Sequence, residues 1–98
     1  MMKINIQPIN CTPRQDLLDL VDEKMNKLTH FSDRILECKV VLRVEKSESH
    51  DNKVVEVRLV IPGNDLFAKK QSDSFEEGIQ KVYDILQREV KDWKEKVA

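Results

Sequence analysis

The chain has 98 residues, enough for one domain with a single core. Lys and Arg number 17 against 18 Asp and Glu, so no global positive excess announces a nucleic-acid partner, and any such partner must meet a local patch. Apolar residues at 40% and charged residues at 36% favour a globular domain with a charged surface, and no stretch is long and apolar enough to span a bilayer.

Residues 2–7 alternate, with Ile4 and Ile6 on one side and Lys3, Asn5 and Gln7 on the other. This pattern predicts a half-buried strand and not a secretory leader, which points to the cytoplasm. Pro8 to Cys11 are expected to break it. Thr12-Pro13-Arg14-Gln15 then reads as a helix start, with Thr12 as cap, Pro13 in the first turn and Gln15 completing a capping box. Leu17, Leu18, Val21, Met25 and Leu28 form its apolar stripe, with Leu20 at the edge and Lys24 and Lys27 on one flank. The helix is expected to end near Thr29–Asp33.

Ile35 to Glu45 is the clearest strand. Leu36, Cys38, Val40, Leu42 and Val44 share one face, and Glu37, Lys39, Val41, Arg43 and Glu45 the other. A polar loop over Ser47–Asn52 leads to a strand from Val54 to Ile61, with Val55, Val57, Leu59 and Ile61 inward. Pro62-Gly63-Asn64-Asp65 is a turn, since Pro fixes φ and Gly and Asn tolerate positive φ. Leu66 to Gln71 is a short fourth strand of undetermined phase.

From Ser72 to Ala98 the apolar residues recur every three or four positions: Phe75, Ile79, Val82, Tyr83, Leu86, Val90, Trp93 and Val97. This is an amphipathic helix of about 35 Å. Ser72 or Asp73 is expected to cap it, Asp73 having box spacing with Glu76. Lys81, Arg88, Lys91 and Lys94 line its wet side, interrupted by Glu77, Asp84 and Glu95.

The order β-α-β-β-β-α implies a parallel crossover followed by an antiparallel meander. The expected fold is α+β: a two-layer sandwich with both helices side by side on one face of a four-stranded mixed sheet. Residues 1–98 form one domain.

Cys11, Cys38, His30 and His50 lack metal-ligand spacing, and no Ser or Cys sits in a nucleophile-elbow sequence. Neither an enzyme nor a cofactor is indicated. Both cysteines read as free thiols. Trp93 and Tyr83 lie on the stripe and are assigned to the core rather than to base stacking; Phe67 is left open to face outward. If the helices pack side by side, Lys24 and Lys27 merge with Lys81, Arg88, Lys91, Lys94 and Lys96 into one surface. Spacing alone makes that surface a solvated face before it makes it a phosphate-binding one.

Several segments resemble the ribosome hibernation promoting factor family, also called the ribosome-associated inhibitor or sigma-54 modulation protein family. These are Glu23-Lys24-x-x-Lys27-Leu28, Asp33-Arg34-Ile35, Val40-Val41-Leu42-Arg43-Val44-Glu45-Lys46, Pro62-Gly63-Asn64-Asp65-Leu66-Phe67-Ala68-Lys69, Phe75-Glu76-Glu77 and Leu86-Gln87-Arg88 followed by Lys94-x-Lys96. Their order and spacing run along essentially the whole chain. The resemblance implies the same sandwich, binding to the small ribosomal subunit in the channel of mRNA and tRNA, and silencing of translation in stationary phase or stress. The partners implied are ribosomal RNA and nearby ribosomal proteins, with no membrane and no small-molecule substrate, for a protein that is monomeric off the ribosome. The implied contacts are Lys24 and Lys27 on the first helix and Arg88, Lys94 and Lys96 on the second, joined by Lys91 through location.

The sequence departs from the family pattern at Pro8-Ile9-Asn10, where many members have Gly followed by basic or His residues. It departs again at Glu89 and Asp92, which dilute the patch. A second, ribosome-pairing domain of longer members is not expected within these residues, so the chain reads as a short form. The rival reading is a module binding a stress or transcription factor through an apolar sheet face of Val41, Val54 and Val60.

Overall fold

The computed structural model describes residues 2–45 and 52–97, leaving aside the side chain of Val97. Residues 47–51 of the proposed polar loop Ser47–Asn52, and the side chain at the last stripe position, thus lie outside what is described. The elements run β1 (Lys3–Ile9), α1 (Gln15–Lys27), a single 3-10 turn (Leu28–His30), β2 (Glu37–Val44), β3 (Lys53–Val60), β4 (Leu66–Ser72) and α2 (Phe75–Val97). The sheet order is β1-β2-β3-β4, with β1 parallel to β2 and the remaining pairs antiparallel. The α+β sandwich expected from the pattern is therefore the observed fold. The helix α2 lies on β3 and β4, α1 touches β1, and the two helices touch each other.

The core lies between the helices and the sheet. Cys38, Val40 and Leu42 from β2 and Val55, Val57 and Leu59 from β3 meet Val21, Met25 and Leu28 from the α1 side and Ile79, Val82, Leu86 and Val90 from α2. Burying each such side chain stabilises the fold by about 1.5–3 kcal/mol. Cys38 is enclosed there, and burial, helped by the neighbouring Glu37 charge, pushes its thiol up to about 12, so it stays protonated and inert. Cys11 is half-buried, and its thiol donates to the Leu42 carbonyl at 3.3 Å.

Four local expectations change. The strand β1 passes through Pro8 and ends at Ile9, where Asn10 takes φ 57°. Pro8 is tolerated because β1 is an edge strand, with one side of its ladder unused. Asn is among the residues that accept the left-handed region. Next, Thr12 does not cap α1. The N-cap is Arg14, with no side-chain cap bond, and its carbonyl accepts from the Leu17 and Leu18 amides at 3.0 and 3.1 Å. The segment from Asn10 to Arg14 is spent on the climb from sheet to helix layer, which takes up Thr12 and Pro13.

Before β2, Ile35 is buried and Leu36 is 60% exposed, the reverse of the expected phase. The regular pleat starts only at Glu37, so alternation cannot be extended back to Leu36. Finally, Ser74 caps α2, accepting the Glu77 amide at 3.2 Å. Ser72 is unavailable because it still pairs with Lys53 at the end of β4. Its hydroxyl is buried without a hydrogen-bond partner.

The sheet face away from the helices is more polar than the rival reading requires. Val54 is fully buried there, flanked in register by Arg43 and Gln71, whose stems are long enough to cover it. Arg43 bridges Glu56 at 2.8 Å and Glu45 at 3.0 Å. Only Val41 and Val60, both half-buried, remain of the expected apolar surface.

Packing of α2 on β3 is closest at Gly78. A Cβ there would stand 2.9 Å from Val55 Cγ2. Gly78→Ala gains about 1 kcal/mol in helix propensity but forces overpacking of about 1–3 kcal/mol. A net loss of about 1 kcal/mol is expected, read as a Tm lowered by several degrees. Ser74→Ala is expected to cost about 1 kcal/mol in denaturant unfolding, while Thr12→Ala stays within about 0.5 kcal/mol.

Candidate nucleic-acid interface

The side-by-side helices bring charges together from segments far apart in sequence. Three cation–aromatic pairs stitch the joint. Lys24 Nζ of α1 lies 5.4 Å from the Tyr83 ring of α2. Lys91 Nζ of α2 lies 4.8 Å from the ring of Phe31, just past the 3-10 turn. The Arg34 guanidinium lies 5.4 Å from the Trp93 ring. Tyr83, Phe31 and Trp93 are each half-buried and packed against the core, so each offers a fixed seat to a mobile cation. Tyr83 and Trp93 thus sit at the margin of the core, not within it.

Between the loop and the end of α2 lies a cleft of about 480 Å³, lined by Thr29 to Arg34 with Trp93 and Lys94. A neighbouring hollow is shared by His30, Phe31, Lys91, Lys94 and Glu95. The loop is held by Ser32, whose buried hydroxyl accepts the Arg34 amide at 3.1 Å. This arrangement holds cations in fixed positions above a recess and fits a polyanion.

Partnering differs across the helix face. Lys81 is tied to Glu77 at 2.9 Å. Arg88 directs its Nε at the Asp84 carbonyl, 3.3 Å away, and not at a carboxylate. Among the described residues, Lys24, Lys27, Lys91, Lys94 and Lys96 form no ion pair. Their charge is therefore uncompensated at short range.

Helix phase separates the candidates further. Lys94, Lys91, Gln87 and Tyr83 follow one another at steps of three or four and form the ridge facing α1. Glu89, Asp92 and Lys96 form a second ridge, and Lys96 lies about 200° around the helix from Lys94. The structure thus groups Lys24, Lys91 and Lys94 at the joint, with Lys27 on α1, sets Arg88 on the crest, and puts Lys96 on the far flank. Partial burial and then the Asp92 charge raise the Glu89 carboxyl above its ordinary value. The two acidic residues expected to dilute the patch therefore crowd each other away from Lys91 and Lys94.

Sequence reading missed Phe31, His30 and Arg34 as members of the site. Arg34 stood within a family-like segment, but nothing in its spacing placed it over Trp93. Among the described residues no group of three metal-ligating side chains converges, and no helix is long and apolar enough to cross a membrane.

Comparison with known proteins bears on the family and the fold. A ribosome hibernation promoting factor of Pseudomonas putida is 32% identical over 95 residues, spanning 97% of this chain and 89% of that protein. A ribosome hibernation promotion factor of Deinococcus radiodurans is 27% identical over 86 residues, which span 87% of this chain and 45% of that protein. A ribosomal subunit interface protein from Coxiella burnetii superposes with a TM-score of 0.83 at 18% identity, covering 96% of this chain and 98% of that one. The N-terminal domain of Thermus thermophilus Protein Y superposes at 0.80 and 22% identity, covering 94% and 99%. The last two share the fold. Residues 4–98 match the sequence profile of the Sigma 54 modulation protein / S30EA ribosomal protein family, and the chain belongs to that family.

Proposed function

We propose that this chain is a ribosome hibernation factor that binds the small ribosomal subunit through its two-helix face and silences translation by occupying the channel of mRNA and tRNA. The observation that carries the reading is the joint itself: Lys24 and Lys91 held on aromatic rings, beside Lys94, without carboxylate partners among the described residues. Family membership and the names of its relatives support the same assignment.

The mechanism is occlusion. A rigid two-layer domain offers a fixed array of cations to ribosomal RNA phosphates and reads surface shape more than base sequence. Seating the lysines on rings reduces the side-chain entropy lost on contact. The factor acts in the cytoplasm, in stationary phase or stress, as a monomer when off the ribosome, and needs no chemistry of its own.

Co-sedimentation with purified small subunits tests this. Lys91→Glu with Lys94→Glu is expected to weaken binding at least tenfold while circular dichroism stays unchanged, and Lys96→Glu is expected to do much less. With about four to six phosphate contacts, log affinity should fall against log salt with a slope of about −3 to −5. Unaltered sedimentation of the double variant would refute the helix-face assignment.

A further inference from the structure

The sheet face opposite the helices holds a second constellation that the helix-face reading does not use. The strands place Asn5, Lys39, Arg58 and Phe67 in one register row across all four strands. Gln7, Val41, Glu56 and Lys69 form the next row, about 7 Å along the strands. Phe67 is 45% exposed on an open sheet, which is unusual for a large apolar ring. The Arg58 guanidinium lies 5.2 Å from that ring. Gln7, Lys39, Val41, Glu56, Arg58 and Phe67 line a shared hollow of about 350 Å³.

The charges in and around this hollow are unevenly satisfied. Glu56 is already held by Arg43 at 2.8 Å and Lys69 at 3.8 Å. Arg58 has Asp65 at 3.6 Å, with both groups partly open to solvent. Lys39 forms no ion pair among the described residues, and neither does Lys3 one row away, although Glu37 stands opposite Lys3 in register and accepts from the Asn5 side-chain amide. The face therefore combines an exposed ring, a guanidinium over it and ammonium groups outside any ion pair among the described residues.

We infer that this face binds a short single-stranded RNA segment, one base stacking at Phe67 and Arg58 and the adjoining phosphates resting on Lys39 and Lys3. An exposed aromatic with flanking cations on an open sheet is the chemistry that single strands require, because every base has a face to stack and every linkage a charge to neutralise. An acidic peptide would satisfy the lysines but leave the ring unused. The ribose selects RNA over DNA. The acceptor for the 2′-hydroxyl in this proposal is Glu56, whose side chain is partly exposed in the hollow and whose contact with Lys69 is long at 3.8 Å. This inference is independent of the helix-face reading, because it needs no ribosome and no residue of α1 or α2.

The test uses the intact chain, a fluorescent oligouridylate of eight nucleotides, and anisotropy at low salt with amide NMR mapping. Saturable binding is expected, with shifts at Gln7, Lys39, Arg58 and Phe67 that persist when Lys91→Glu and Lys94→Glu remove the helix-face contacts. Phe67→Leu is expected to weaken it about tenfold, within the range for one lost base stack, while Phe67→Tyr retains it. Lys39→Gln provides a second loss that leaves the ring untouched, and each variant's own amide spectrum reports its fold. The oligothymidylate and a poly-glutamate peptide are expected to bind more weakly. Absence of saturable binding, shifts confined to α1 and α2, or equal affinity for DNA or the peptide would overturn the proposal.

Discussion

The seating of α2 on β3 and β4 is the constraint on which the remaining structure depends. Its stripe of Ile79, Val82, Leu86 and Val90 is fully buried, and the backbone at Gly78 comes so close to Val55 that a methyl group has no room. That approach fixes the height of the helix above the sheet. It also fixes the rotation of α2, because a helix with one apolar stripe has one way to bury it. Rotation in turn decides which side chains face α1. Tyr83, Lys91 and Lys94 turn toward the joint, while Glu89, Asp92 and Lys96 turn away.

The joint is a consequence of that rotation and of the loop after α1. Neither helix forms this cation cluster alone. Lys24 acquires a fixed position because Tyr83 comes from the other helix, and Lys91 because Phe31 comes from the loop. Aromatic residues at the edge of the core thus serve twice: one side of each ring completes the apolar packing, and another holds a cation. A surface built this way gathers cations in a chain whose formal net charge is −1. Some acidic residues are paired away from the joint, in the Glu77–Lys81 pair and in the network of Arg43 with Glu45 and Glu56 on the opposite face, while Asp33 and Glu95 line the recesses beside it.

The two faces of the sheet illustrate what alternation does and does not tell. Inward phases of Cys38, Val40 and Leu42 and of Val55, Val57 and Leu59 were legible, since each strand pairs in a fixed register once one face is buried. Val54 was misread as part of an exposed apolar surface. Its environment depends on Arg43 and Gln71, which are neighbours only through strand pairing. Leu36 failed for a related reason: a strand boundary is set by the partner strand's reach, not by the local pattern.

The sequence by itself determined the element order, the sandwich, both apolar stripes and the family-like segments, because periodicity and turn chemistry are local properties of the chain. It also placed Lys24, Lys27, Arg88, Lys91, Lys94 and Lys96 on the helices' wet sides. Only the tertiary structure decided which of these meet. It started α1 after Arg14 and capped α2 with Ser74, because the sheet ladder and the climb between layers had already claimed Thr12, Pro13 and Ser72. It also put Arg34 over Trp93, dozens of residues apart, and sent Lys96 to the far flank. Such groupings depend on the rotation and height of two packed helices, which are set by contacts distant in sequence and have no local signature.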